Sequence, residues 1–219
     1  MIIRVEQQVK NMWSALFHIF EDEKRVGWFE VQGKIGSMEA DILIEIFGRR
    51  YFATYNGKKA FKEKRIPGTK DTIFRPYHIA CRDDRREGDV WQCDRKTGML
   101  SIISFYQMEF DDKKYDLYPI GFGSEGGKHP VYCGDTQIAQ VEKPGEIRDD
   151  MHNYTIYAID SDAAELSVLL VAYMYVNANY KPGEKVTKSY VKCYSITKNK
   201  TLLSKYDPEF KEKLIRNDN

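Results

Sequence analysis

The chain has 219 residues, 42% of them hydrophobic and 31% charged, so it can bury a core and is neither disordered nor of low complexity. Thirty-four Lys and Arg against 33 Asp and Glu leave a net charge of +1. That balance lacks the basic excess of a dedicated nucleic-acid binder, so no nucleic-acid partner is expected.

The first residues, Met1 to Glu6, hold no apolar core or cleavage site of a secretory signal. The longest apolar run, 166–176, is broken only by Ser167 and falls short of the roughly 18 residues a membrane span needs. Cysteines stand at 81, 93, 133 and 193 with no C-x-x-C pair. Free thiols and a cytoplasmic location, peripheral at a membrane where lipid is bound, are the expectation.

Fifteen Tyr, 11 Phe and many β-branched residues recur in short alternating runs, a strand signature. In chain order the expected strands cover 15–20, 26–33, 40–47, 51–55, 72–80, 90–93, 99–106, 115–120, 131–133, 137–142 and 154–160. Asn56-Gly57 is the strongest hairpin signal, because both central residues of a type I′ turn need positive φ. Lys96 to Gly98 reads as a second turn, and Pro144-Gly145 ends a further strand. About eleven short strands at this spacing point to a sandwich or barrel.

Residues 162–179 break the alternation. Asp162 with Glu165 three residues later forms a capping-box pattern, and Asn177 and Asn179 stand where a helix stops. From Val168 to Val176 no face is polar apart from the hydroxyls of Tyr173 and Tyr175. A helix apolar all round belongs inside a core. At about 25 Å it is long enough to run through a small barrel. Val168, Val171 and Val176 are β-branched and would also suit a buried strand, but run length and capping favour the helix.

From residue 181 the character changes. The segment 181–219 holds ten basic and five acidic residues, which leaves 1–180 at −4. It reads as a strand at 187–196 and a closing helix, with Asp207 as N-cap and Pro208 at the first helical position. Glu209–Lys213 and Glu212–Arg216 support that helix at i,i+4, and Phe210 and Leu214 would dock it. The expected organisation is a barrel over 1–180, with 181–219 as a basic extension packed on the same domain.

Several motifs fail on their context. Gly121, Gly123 and Gly126 fit G-x-G-x-x-G, but Pro130 and the absence of a 3.6-residue period remove the helix that must follow. A flexible glycine loop is the expectation. Lys128 is followed by His129, so no P-loop is formed. The four histidines, 18, 78, 129 and 152, show no zinc spacing. The pairs Asp83-Asp84, Asp111-Asp112 and Asp149-Asp150 lack the calcium-loop pattern and read as solvated turn carboxylates. No metal or cofactor is expected.

The densest basic run is Lys58, Lys59, Lys62, Lys64 and Arg65, with Glu63 its one acid. Placed on or beside a hairpin, these cations could meet anionic head groups at about 1 kcal/mol each, with Phe61 touching the interface. An ordinary edge strand guarded by lysines is the plainer alternative.

The layout resembles the tubby C-terminal-like superfamily, which includes the tubby proteins, the LURP-one-related proteins and the phospholipid scramblases. The resemblance is strongest over 131–177: a strand ending in Thr136–Lys143, a polar loop, the strand at 154–160, then the apolar helix. Residues 17–22, 28–33 and 75–79 resemble further strands of that group. This implies a closed antiparallel barrel of about twelve strands around a buried apolar helix (162–179), with a short C-terminal helix. Asn177 stands where the family often has Asp, and about 40 residues follow the helix instead of few. The basic residues of the tubby phosphoinositide site have no assigned counterparts here, so no binding residue is carried over.

The resemblance implies a lipid-associated or regulatory protein without enzymatic activity, and fold alone does not fix function. The leading expectation is recognition of anionic phospholipid head groups at a membrane surface through Lys58, Lys59, Lys62, Lys64 and Arg65. A protein-interaction scaffold without lipid affinity is the alternative. An enzyme with a loop-built site at the barrel mouth, around His129 and the glycine loop, is the third.

Overall fold

The fold is that of a computed structural model, which describes residues 1–37, 39–62, 71–98, 101–186, 190–192 and 195–217. Its elements in order are β1 (Ile2–Lys10), β2 (Ser14–Glu21), β3 (Lys24–Gly33), β4 (Ala40–Ile46), β5 (Arg49–Tyr55), α1 (Gly57–Lys62), β6 (Thr72–Cys81) and β7 (Glu87–Lys96). There follow β8 (Ile102–Phe110), β9 (Lys113–Leu117), β10 (Gly127–Cys133), β11 (Thr136–Lys143), β12 (Glu146–Arg148) and β13 (Asn153–Ala158). The chain ends with α2 (Ser161–Ala178), β14 (Tyr190–Lys192), α3 (Lys200–Leu203) and α4 (Phe210–Asn217).

Twelve of these strands close an antiparallel barrel; β12 and β14 pair separately as a two-stranded ribbon. The ring closes where β1 meets β13, with Ile3 opposite Ile156 and Val5 opposite Tyr154. Alternation places Ile3 and Val5, Phe17 and Ile19, and Ile42, Ile44 and Ile46 in the interior. Strand β1 lies outside the sequence expectation. Its inward Gln7 interrupts the apolar alternation, and that side chain is satisfied by the Tyr175 hydroxyl at 3.2 Å and by His152 N at 2.7 Å.

Helix α2 fills the barrel. Every residue from Ala163 to Val176 is buried, and the helix touches β4, β7, β8, β11 and β13, strands from different sides of the ring. Burial of Val168, Leu169, Leu170, Val171 and Val176 contributes about 8–15 kcal/mol before the cost of ordering. The polar groups of the helix find partners inside: Ser167 Oγ donates to Ala163 O at 2.6 Å, and the Tyr173 hydroxyl to Arg75 O at 2.8 Å.

The expected N-cap is corrected. Asp160 caps the helix, its Oδ1 accepting from Ala163 N at 2.7 Å, and Asp162 lies in the first turn. Asp160 is extended and immediately precedes the first helical residue, the geometry a cap requires. Glu165 closes no capping box. It is buried, and accepts from Arg49 Nη1 at 2.7 Å and from the Tyr51 hydroxyl, with Arg86 Nη2 3.0 Å away. At the opposite terminus, Arg75 Nη1 donates to Asn177 O at 3.2 Å and Lys10 Nζ to Asn179 O at 3.4 Å. Acids at the start and cations at the end complement the helix dipole.

The two barrel ends differ. At one, residues 22–23, 47–48, 111–112 and 134–135 make two-residue turns. Phe47 and Gly48, and Asp111 and Asp112, all have positive φ, the mirror-image turn that suits hairpin twist. The opposite end carries the longer connections: 34–39, 56–71, 97–101, 118–126 and 144–152. Helix α2 runs from the first end to the second, which is called the open end below.

The Asn56-Gly57 hairpin is corrected. Asn56 Oδ1 accepts from Lys59 N at 3.2 Å and caps α1, so the pair begins a helix within a long connection. An Asn that suits a tight turn also suits an N-cap.

The extension after α2 packs on the barrel. Leu202 joins Ile73, Trp91, Phe105, Tyr118 and Ile120 in a second apolar cluster outside the ring, and the Tyr132 hydroxyl donates to Lys205 O at 2.9 Å. Of the strand expected at 187–196, β14 is described, and 187–189 and 193–194 lie outside the described residues. Helix α4 starts at Phe210, two residues after Pro208, with Glu209 N donating to Asp207 Oδ1 at 2.8 Å. Its pairs Glu209–Lys213 (3.1 Å) and Glu212–Arg216 (3.5 Å) are those expected.

Candidate functional site

The basic run begins on α1, at the open end. The ring is closed, so the run guards no edge strand; it lies in the long connection of the antiparallel β5–β6 pair, beside a hairpin as expected. Lys58 is exposed. Lys59 points to the barrel wall: its Nζ pairs with Asp89 at 2.9 Å and lies 4.4 Å from the Trp91 ring centroid. Its charge is thus already engaged at the barrel wall. Lys62 ends α1, and its side chain, with Lys64 and Arg65, lies outside the described residues.

The glycine segment follows β9. Gly123–Glu125 forms one 3-10 turn and β10 starts at Gly127, so no helix N-terminus is offered to a pyrophosphate. Close packing, not flexibility, explains the glycines. A Cβ at Gly126, where φ is 88°, would stand 2.0 Å from Lys143 O. One at Gly121 would stand 2.3 Å from Ser195 O. Gly123 N donates to Ser195 O at 2.9 Å, and Thr197 N to Gly121 O at 2.9 Å. The loop, the end of β11 and the extension are thereby stitched together.

Between these three segments and the last turn of α2 lies a cavity of about 290 Å³. Its polar lining includes Lys143, His129, Asn179, Ser195 and Tyr106, and its apolar lining includes Pro119, Ile120, Pro144 and Met174. Lys143 Nζ donates to Asn179 Oδ1 at 3.1 Å. His129 is 7% exposed, and its Nδ1 accepts from Ile120 N at 3.1 Å. Burial first, and then the charge of Lys143, push its pKa down to about 3. The ring is therefore neutral, with its proton on Nε2, a donor with no acceptor among the described residues. His152, nearby on the polar side of the helix end, is also held neutral by burial and Lys143, with Asp150 opposing.

A neighbouring cavity of about 390 Å³ is lined by Glu39, Tyr55, Arg75, Asn177 and Lys181, among others. Both cavities border Ala178 at the open end. Of the six turn carboxylates, Asp111, Asp112 and Asp149 are exposed as expected, and the other three are engaged. Arg50 Nη2 donates to Asp83 at 2.6 Å, Arg86 Nε to Asp84 at 2.9 Å, and Lys10 to Asp150. Among the described residues, Cys81, Cys93 and Cys133 are free thiols, no group of three His, Cys, Asp or Glu could hold a metal, and no helix is long and apolar enough to cross a membrane.

The rim of the open end is mixed in character. Seven of the ten exposed large apolar side chains among the described residues stand on its strand ends and connections: Val9, Met12, Trp13, Ile35, Phe74, Ile102 and Ile196. Ile35 is 87% exposed. Lys34 and Lys58 lie on these connections and Lys181 just after α2; Lys34 pairs with Asp41 at 2.8 Å and Lys181 with Glu184 at 4.0 Å. Sequence reasoning named His129 and the glycine loop at the barrel mouth but missed Lys143, Asn179 and Ser195. The fold joins these across long separations, and no spacing signals them.

No protein-family model matches the chain, and no curated protein or solved structure matches it significantly.

Proposed function

We propose that this chain is a non-catalytic, tubby-like binding protein that docks the open end of its barrel on anionic phospholipid head groups. The observation that carries the reading is the open end, where seven exposed apolar side chains stand in the company of Lys34, Lys58 and Lys181. Trp13, Ile35 and Phe74 suit the interfacial layer, and each cation near an anionic surface adds about 1 kcal/mol. The twelve-strand ring around α2 supports the tubby-like architecture. The mouth cavity supports binding over turnover. Its titratable lining is a neutral histidine, a lysine and Tyr106, whose phenol burial keeps protonated, and no carboxylate stands among the described lining residues.

Co-sedimentation with phosphatidylcholine vesicles, with and without phosphatidylserine, tests the proposal. Binding is expected only with phosphatidylserine, and weaker at high salt. Lys58→Glu with Lys62→Glu, and separately Ile35→Ser, should each weaken it without moving the thermal midpoint. Equal binding to neutral vesicles, or none to either, overturns the lipid reading. A protein captured through the rim, without vesicle binding, would favour the scaffold alternative.

A further inference from the structure

The mouth cavity has a chemistry of its own, apart from the rim. Its lining holds donors: the Lys143 ammonium, the Asn179 amide it bonds, the Ser195 hydroxyl and the Nε2–H of His129. The His129 donor is fixed by structure, since Nδ1 is occupied by the backbone N–H of Ile120 at 3.1 Å. The ring's Nε2–H lines the cavity with no acceptor among the described residues, so a ligand there can supply one. Ile120, Met174, Pro119 and Pro144 supply apolar lining beside them. At about 290 Å³ the cavity lies at the lower limit of about 300 Å³ for small-molecule sites.

We propose that this cavity binds a small amphiphilic carboxylate, its carboxylate held by Lys143 and His129 Nε2–H and its apolar body against Ile120 and Met174. A bare inorganic anion would leave the apolar wall unfilled. A neutral amphiphile would forgo the charge-assisted bond to the ammonium. The site is independent of the membrane reading, because its ligand can arrive from solution or from a bilayer.

Isothermal titration without vesicles tests it, using octanoate, octanamide and inorganic phosphate as probes. Octanoate should bind at least tenfold more tightly than octanamide, and phosphate should give no saturable heat. Lys143→Met removes the ammonium, with its Asn179 bond and its place over the Tyr154 ring, and should weaken octanoate at least tenfold. Ala178→Trp, at the exposed mouth where folding is not at stake, should abolish binding. Equal affinity for octanoate and octanamide overturns the anion, and binding that survives Ala178→Trp overturns the location. No saturable heat at millimolar octanoate overturns the site. Adding vesicles with phosphatidylserine then separates the sources: octanoate binding in solution with no vesicle binding retains this site and removes the lipid reading.

Discussion

Replacing Glu165 with alanine probes how the buried helix is pinned to the barrel. The carboxylate is 2% exposed, and its partners are Arg49 Nη1 (2.7 Å), Arg86 Nη2 (3.0 Å) and the Tyr51 hydroxyl. Arg49 is 43% exposed, so water replaces its lost bond and its share is about 0–1 kcal/mol. Arg86 is 23% exposed and Tyr51 is buried; both would keep polar groups facing an empty site. Breaking a buried pair by removing one partner costs about 3–5 kcal/mol. For a chain of this size that corresponds to a fall of about 6–20 °C in thermal midpoint. Urea unfolding followed by tryptophan fluorescence gives the free energy directly. Arg49→Met should cost under about 1 kcal/mol, and Glu165→Ala combined with Arg86→Met should cost less than the two single changes added. A loss below about 1 kcal/mol for Glu165→Ala, or an equal loss for Arg49→Met, would refute the pinning argument.

Burial holds both His129 and His152 neutral, with pKa values of about 3 against about 6.5 unfolded. Below pH 6.5 the unfolded chain takes up protons that the folded chain refuses. Stability should therefore be full above pH 6.5 and fall by up to about 1.4 kcal/mol per pH unit per histidine on acidification towards 3. Urea midpoints at pH 7.5 and 5.0 measure this; His129→Gln should flatten the slope, and a flat wild-type profile contradicts the burial. Lys59→Met removes the Asp89 pair and the cation over Trp91 and should cost about 1–2 kcal/mol while vesicle binding is kept. Unchanged stability with lost vesicle binding would return Lys59 to the lipid surface.

The strands were legible where one face is buried and the other wet, because period-two alternation then survives in the composition. Strand β4, with Ala40, Ile42, Ile44 and Ile46 inward, is the clean case. Strand β1 was not, because Gln7 points inward to a hydroxyl supplied by a helix 168 residues later. Helix α2 was legible from its unbroken apolarity. Its cap was not, because Asp160, Ser161 and Asp162 all have capping side chains and the end of β13 decides between them. The pairing of Glu165 with Arg49 and Arg86 was hidden by the same motif, since D-x-x-E reads as a cap when the helix lies on a surface. The mouth cavity was half legible. His129 and the glycines stood out, whereas Lys143 looked like the last residue of a strand and Asn179 like a helix stop. Ring closure alone makes them neighbours.

The position of α2 in the chain also governs the order of assembly. The barrel interior is completed by a segment that follows all twelve ring strands in sequence. On the ribosome, strands β1 to β11 are therefore synthesised before either the ring partner of β1 or the plug of the lumen exists. Their inward faces must wait, unsatisfied, for residues 153–178. Pairings as distant as Ile2 with Tyr157 make the final collapse a slow, high-contact-order event. A fragment ending before α2 would leave those apolar faces uncovered, the kind of surface that promotes aggregation.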